Sequence, residues 1–251
     1  MVILKYNVWI VLMIIASVSC EKGDFSWDLP RVNSSDSLQN ENPNNPLWPV
    51  ANFMASNTNV PVGSSVSFIS TSTQNPTSLN WRFQGGNLSF SNDSSPIVLY
   101  DSIGKYDVSL RVANNYGIDS ITKESYIEVY YLKSFSNDSW DGWSNNGWSF
   151  STSPQCPDCI YSYSSTPTSQ TISKLFNNVP SNANLEFYHY NYSPNTTIKV
   201  KVNGVEIWSK SGFGENTISL QLPNVSNFTL TFEALIGEAA TIYLNDIKIR
   251  P

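Results

Sequence analysis

At 251 residues the chain is long enough for two domains of ordinary size, each burying its own core. Its 20 acidic residues outnumber 14 basic ones, for a net charge of -6, and no Lys/Arg cluster supplies the footprint that nucleic acid requires. One histidine and three cysteines leave too few ligands for a structural zinc site, and the single histidine restricts any Ser-His-Asp arrangement to one base.

The first predicted element is an export segment over residues 1–20. Lys5 provides a thin positive region, the apolar run from Val8 to Ile15 is too short to span a bilayer comfortably, and Ala16-Ser17-Val18-Ser19 places small residues before Cys20. This stretch resembles a bacterial lipoprotein signal. The resemblance implies that the Cys20 thiol is lipidated and becomes the mature N-terminus, holding the protein at the outer membrane or cell surface. Ser17 stands where such signals usually carry Leu, which leaves open an ordinary secretory signal and a freely secreted protein.

Residues 21–46 are polar filler, including Asn33-Ser34-Ser35-Asp36-Ser37 and Asn40-Glu41-Asn42-Pro43-Asn44-Asn45-Pro46. Too little apolar surface is present to offset the entropy of ordering them, so a flexible tether is expected. The alternative is that Trp27 and Leu29 dock on the domain that follows.

From residue 47 to 130, period-two alternation between Gly, Pro and Asn punctuation predicts a β-sandwich. Ala51 and Phe53 share a face, as do Val66 and Phe68. Leu79, Trp81 and Phe83 follow, then Val98 and Tyr100, and then Tyr106, Val108, Leu110 and Val112. Asn114-Asn115-Tyr116-Gly117 signals a hairpin, and a last strand runs from about Ser120 past Val129. The in-phase partners of Trp81 make it a core residue, and Tyr106 reads the same way.

Trp81-Arg82-Phe83-Gln84-Gly85-Gly86, Tyr100, the Gly104–Val112 strand and Asn115-Tyr116-Gly117 together resemble a PKD domain. The resemblance implies an immunoglobulin-like sandwich used as a spacer or interaction module. The chain carries Arg82 and Gln84-Gly85-Gly86 where that family commonly has an acid and a Gly-Asp-Gly turn, so roles tied to those acids do not transfer.

Residues 131–251 open with Trp140, Trp143 and Trp148 among Asp, Gly, Ser and Asn, a composition in which recognition chemistry could sit. Cys156 and Cys159 are a loop disulfide or a free pair. Export to oxidising surroundings and the lack of a βαβ pattern favour the disulfide. Strands are predicted at 185–192, 198–202, 205–208, 218–222, 228–234 and 242–249, with Asn203-Gly204 as a hairpin turn. Ile242 and Leu244 are out of phase with Ile247 and Ile249, which a β-bulge at Asn245-Asp246 would reconcile. The pattern resembles the jelly-roll modules appended to secreted bacterial hydrolases and adhesins, many of which bind carbohydrate. That likeness makes Asp246 a candidate ligand for a structural calcium; no other cofactor is expected.

Within Leu185–Tyr192, Leu185 and Phe187 take the core face and leave Tyr188, Tyr190 and Tyr192 on the other. Trp208 is similarly out of phase with Val205 and Ile207. Aromatic rings beside amides and hydroxyls can stack on sugar faces, so these four residues are the candidate ligand site. Equally, tyrosines are good strand formers, and both sheet faces could be partly buried. His189 falls on the core face, and Asp138 and Asp141 bracket Trp140 as a loop acid pair, so no catalytic residues are assigned.

The reading is therefore an all-β chain, a PKD-like sandwich followed by a jelly-roll-like sandwich. The expected role is that of a non-catalytic surface binding or adhesion protein meeting glycan or another surface protein, with membrane contact through the lipid anchor only. The alternative is a structural or assembly component of a surface complex without a small ligand.

Overall fold

The computed structural model describes residues 46–136, 138–154 and 156–251, and every regular element among them is a β-strand. The export segment, Cys20 and the expected tether up to residue 45 lie outside the described residues.

The first sandwich contains β1 (Phe53–Ala55), β2 (Asn59–Pro61), β3 (Ser64–Ser70), β4 (Ser78–Phe83), β5 (Phe90–Ser91), β6 (Ile97–Tyr100), β7 (Gly104–Asn114) and β8 (Gly117–Lys133). One sheet has the order β1-β3-β6, and the other runs β8-β7-β4-β5 with β2 added in parallel to β8. Alternation delivers Phe53 and Phe68 from the first sheet and Trp81, Phe83, Val108, Leu110 and Val112 from the second into one core. Phe53 meets Trp81 edge-on at 5.3 Å, Phe68 packs on Phe83 at 4.9 Å, and the Trp81 indole N–H donates to the Asp93 carbonyl at 3.0 Å. Trp81 is thus a structural pivot. Tyr106 is only partly buried: it stacks on Tyr100 at 5.4 Å and its hydroxyl donates to the Ser102 carbonyl at 2.9 Å. A Cβ on Gly85 or Gly104 would stand 2.1 Å or 2.6 Å from the Tyr106 ring, which explains the glycines on either side of it.

The second sandwich is built from β9 (Ser144–Asn146), β10 (Ser149–Phe150), β11 (Ile160–Ser164), β12 (Thr168–Phe176), β13 (Asn184–Asn191), β14 (Thr196–Val202), β15 (Val205–Ser211), β16 (Gly214–Gln221), β17 (Phe228–Ile236) and β18 (Ala240–Arg250). Strands β10-β11-β18-β13-β16 form one antiparallel sheet and β15-β14-β17-β12-β9 form the opposing one. Phe187 and Phe232 meet edge-on at 5.1 Å between the sheets, within a core that includes Ile172, Ile198, Val200, Leu230, Ile242 and Leu244. Asn203 and Gly204 take φ values of 51° and 80° and close the β14–β15 hairpin.

Strands β9 to β12 have no counterpart in the sequence reading. Trp143 and Trp148, where recognition chemistry was sought, are 4% and 3% exposed and belong to the core instead. Trp140 is partly buried against Phe135 and Phe150.

Strand β8 ties the two sandwiches together. It pairs with β7 up to Val129 and with β18 over Tyr131–Lys133, so position 130/131 falls inside a strand. Arg250 at the end of β18 bonds Glu128 at 2.8 Å, approaches Glu186 at 3.6 Å and lies 4.8 Å over the Tyr130 ring.

Candidate functional site

Alternation along β11, β13 and β18 sends one set of side chains into the core and the other to the outer face. On β13, Leu185, Phe187, His189 and Asn191 are buried, while Tyr188 and Tyr190 face outward. On β18, Tyr243 is flanked by buried Ile242 and Leu244, and on β11 Tyr161 is flanked by buried Ile160 and Ser162.

Strand register turns these separate outward residues into a line. Tyr161 stands opposite Tyr243, Tyr243 opposite Tyr190, and Tyr190 opposite Glu215 on β16. The ring centroids step 5.9 Å from Tyr161 to Tyr243 and 6.4 Å from Tyr243 to Tyr190. Tyr192, just past the end of β13, lies 4.1 Å from Tyr190 and 5.6 Å from Tyr243 and is 45% exposed. The result is a continuous aromatic surface across three strands. Sequence reasoning found Tyr188, Tyr190 and Tyr192 but missed Tyr161, Tyr243 and Glu215. The first two carried the same signal, a tyrosine alternating with apolar or small residues.

At one end of this surface, Tyr188 donates its hydroxyl to Glu215 at 2.7 Å. Burial, then that hydrogen bond to a carboxylate, push the phenol up to about 12, so it stays protonated and the pair keeps a fixed orientation. Beyond Tyr188 opens a cleft of about 350 Å³, lined also by Leu132, Glu186, Thr217, Asp246 and Lys248. Asp246 enters the cleft because it is the bulge residue. Its φ is 50°, it is exposed, and the β13–β18 register slips opposite it between Glu186 and Tyr188. Rings that stack on flat apolar faces, followed by carboxylates that accept hydroxyl hydrogen bonds, suit a polyhydroxylated ligand.

Among the described residues no group of three or more His, Cys, Asp or Glu side chains is placed to hold a metal around Asp246.

Trp208 does not join the tyrosines, which corrects its assignment to the same site. A register slip between Val200 and Lys201 makes Ile207 an extra residue, so Trp208 pairs with buried Val200 and turns inward. There it meets Phe187 edge-on at 5.3 Å and His189 at 5.4 Å, on the side of β13 opposite Tyr188 and Tyr190.

His189 is fully buried; among the described residues neither ring nitrogen makes a hydrogen bond of good geometry, though the neighbouring Asn191 side chain offsets part of the effect of burial. Burial holds its pKa below the ordinary value, leaving a neutral imidazole remote from the tyrosine surface. Asp141 is no free acid: it pairs with the buried Lys133 at 2.6 Å and accepts from Ser139 at 2.5 Å. The Lys133 hydrogen bond is the first cause of its lowered pKa. Cys156 and Cys159 are joined as a disulfide with Cα atoms 5.4 Å apart, in the loop before β11.

Residues 47–129 match the family model of the PKD domain, as the Trp81 and Gly104–Val112 segments suggested. No curated protein matches the chain. Among solved structures the chain is similar to a carbohydrate-binding module of the β-sandwich superfamily (18% identity, 79% of this chain and 96% of that one, TM-score 0.39). It is also similar to the K1 cleaved adhesin domain of Lys-gingipain from Porphyromonas gingivalis W83 (12%, 48% and 96%, TM-score 0.41). A third is the mannan-recognising carbohydrate-binding module TmCBM27 (12%, 48% and 97%, TM-score 0.36).

Proposed function

We propose that the chain is a non-catalytic binding protein of the cell surface whose C-terminal sandwich, residues 131–251, recognises carbohydrate through its tyrosine face. The observation that carries this reading is the in-register line of Tyr161, Tyr243, Tyr190 and Glu215 on one exposed sheet face. In the same reading the PKD-like sandwich, residues 47–130, is a spacer, residues 21–46 are a tether, and residues 1–20 direct export. Acylation of Cys20 anchors the assembly, and the distal sheet is presented to ligand.

Several features support binding without catalysis. The sole histidine is enclosed and neutral, Asp141 is engaged by Lys133, and the cleft carboxylates sit beside a platform suited to holding a ring. Retention of the full chain on immobilised polysaccharides tests the reading. Retention should fall in Tyr190→Ala and Tyr243→Ala while persisting in Trp208→Phe. Equal retention by all variants would place the site elsewhere.

A second reading, a structural component that engages protein partners, is favoured by one feature of the first sandwich. Met54 and Ile69 stand opposite each other on β1 and β3 and are 55% and 52% exposed. Crosslinking followed by mass spectrometry distinguishes it. A stable protein partner captured through β1 and β3, with no polysaccharide retention, would favour this alternative.

A further inference from the structure

Two carboxylates at the tyrosine face, Glu215 and Asp246, stand outside every ion pair among the described residues, and this bears on which carbohydrates that face can take. Glu215 ends the aromatic line and Asp246 and Glu186 line the cleft beyond it. Of the two cations near the cleft, Arg250 is tied up in ion pairs, whereas Lys248 keeps its positive charge while packed over a ring. Arg250 is held by Glu128 at 2.8 Å and Glu186 at 3.6 Å, and the Lys248 ammonium lies 5.3 Å over the Tyr130 ring. We infer that the site selects neutral glycans and rejects uronate-bearing ones, with Glu215 and Asp246 as the specificity-determining residues. This rests on the carbohydrate reading of the tyrosine face.

The chemistry follows from what each group can offer. A carboxylate only accepts hydrogen bonds, so Glu215 and Asp246 can receive sugar hydroxyl protons but have nothing to donate to a ligand carboxylate. Glu215 is fixed in position by the Tyr188 hydroxyl at 2.7 Å, so it cannot swing away from an approaching anion without breaking that bond. A uronate placed on the Tyr190 ring would bring two like charges together at the protein surface, where the repulsion weakens binding about tenfold and is relieved by salt. Specificity of this kind works by penalising the wrong ligand as much as by rewarding the right one.

The test uses the full chain on columns of immobilised galactan, glucan and mannan, each paired with the same polysaccharide oxidised at C6 to its uronate form. Retention is expected on at least one neutral column and about tenfold less on its oxidised partner at low salt, with the gap narrowing as salt is added. In a Glu215→Gln/Asp246→Asn variant the oxidised partner should gain retention relative to wild type. Equal or stronger wild-type retention on the oxidised form would overturn the inference and leave the carbohydrate reading standing. So would an unchanged ratio in the double variant. No retention on any column, neutral or oxidised, would remove the carbohydrate reading and the inference with it.

Discussion

Tyr190 and Tyr243 face each other across neighbouring strands with ring centroids 6.4 Å apart, both on the outside of a sheet whose inner face is fully packed. Nothing in the core requires large aromatic residues at these two positions. Their substitution therefore separates binding from folding. Tyr190→Ala and Tyr243→Ala should each weaken polysaccharide retention about tenfold, while the thermal midpoint moves by less than about 2 °C.

Trp208→Ala should behave in the opposite way. Its indole fills the space beside Phe187 and His189, so truncation leaves a void between the sheets and costs about 2 kcal/mol, read from the urea midpoint. Polysaccharide retention of the folded fraction should be unaltered.

Acidification should destabilise the second sandwich through His189. Burial depresses its folded pKa below the ordinary 6.5, so between those two values the unfolded chain binds the extra proton. Stability is therefore full above pH 6.5 and declines as the pH falls from there toward the folded value. Urea midpoints measured at steps from neutral to mildly acidic pH should show this decline in the wild type, and His189→Phe should flatten it.

Asp141→Asn removes the partner of Lys133, whose side chain is only 3% exposed. An ammonium left enclosed without its carboxylate is costly, but the 54% exposure of the Asp141 side chain admits water and limits the loss. A drop of about 1–2 kcal/mol is expected by chemical denaturation. The wild-type pair should also weaken on strong acidification, since a carboxyl with a lowered folded pKa loses its contribution as the pH falls through that value.

Period-two alternation made most long strands legible, because strands with one face buried must place apolar residues at every second position. It carried β3, β4, β7, β13, β14, β17 and β18, and two apolar pairs out of phase revealed the bulge at Asp246. It failed for β11 and β12, whose Ser- and Thr-rich sequences bury only Ile160, Ile172 and Phe176 as apolar side chains, and for β9 and β10, which are Ser-Asn-Asn and Ser-Phe and hold too few residues to show a period. Trp143 and Trp148 were misplaced because they are buried from irregular segments beside these short strands, where no neighbouring alternation reports the inward face. Trp208 was misplaced for a different reason. The extra residue at Ile207 reverses the inward face, and only one apolar residue follows it, so the sequence offered no second pair to expose the slip. Within the site, β13 was readable on its own, but the line formed with Tyr161 and Tyr243 depends on pairing between strands far apart in the chain.

The most direct test of the central claim is a solution NMR titration of the full chain with galacto-, gluco- and manno-oligosaccharides, observing tyrosine ring protons and the Trp indoles. The account predicts that at least one oligosaccharide shifts the rings of Tyr161, Tyr190 and Tyr243 together while the Trp208 indole stays in place. Binding that moved the Trp208 signal or the Met54–Ile69 face and left those three rings unchanged would contradict it.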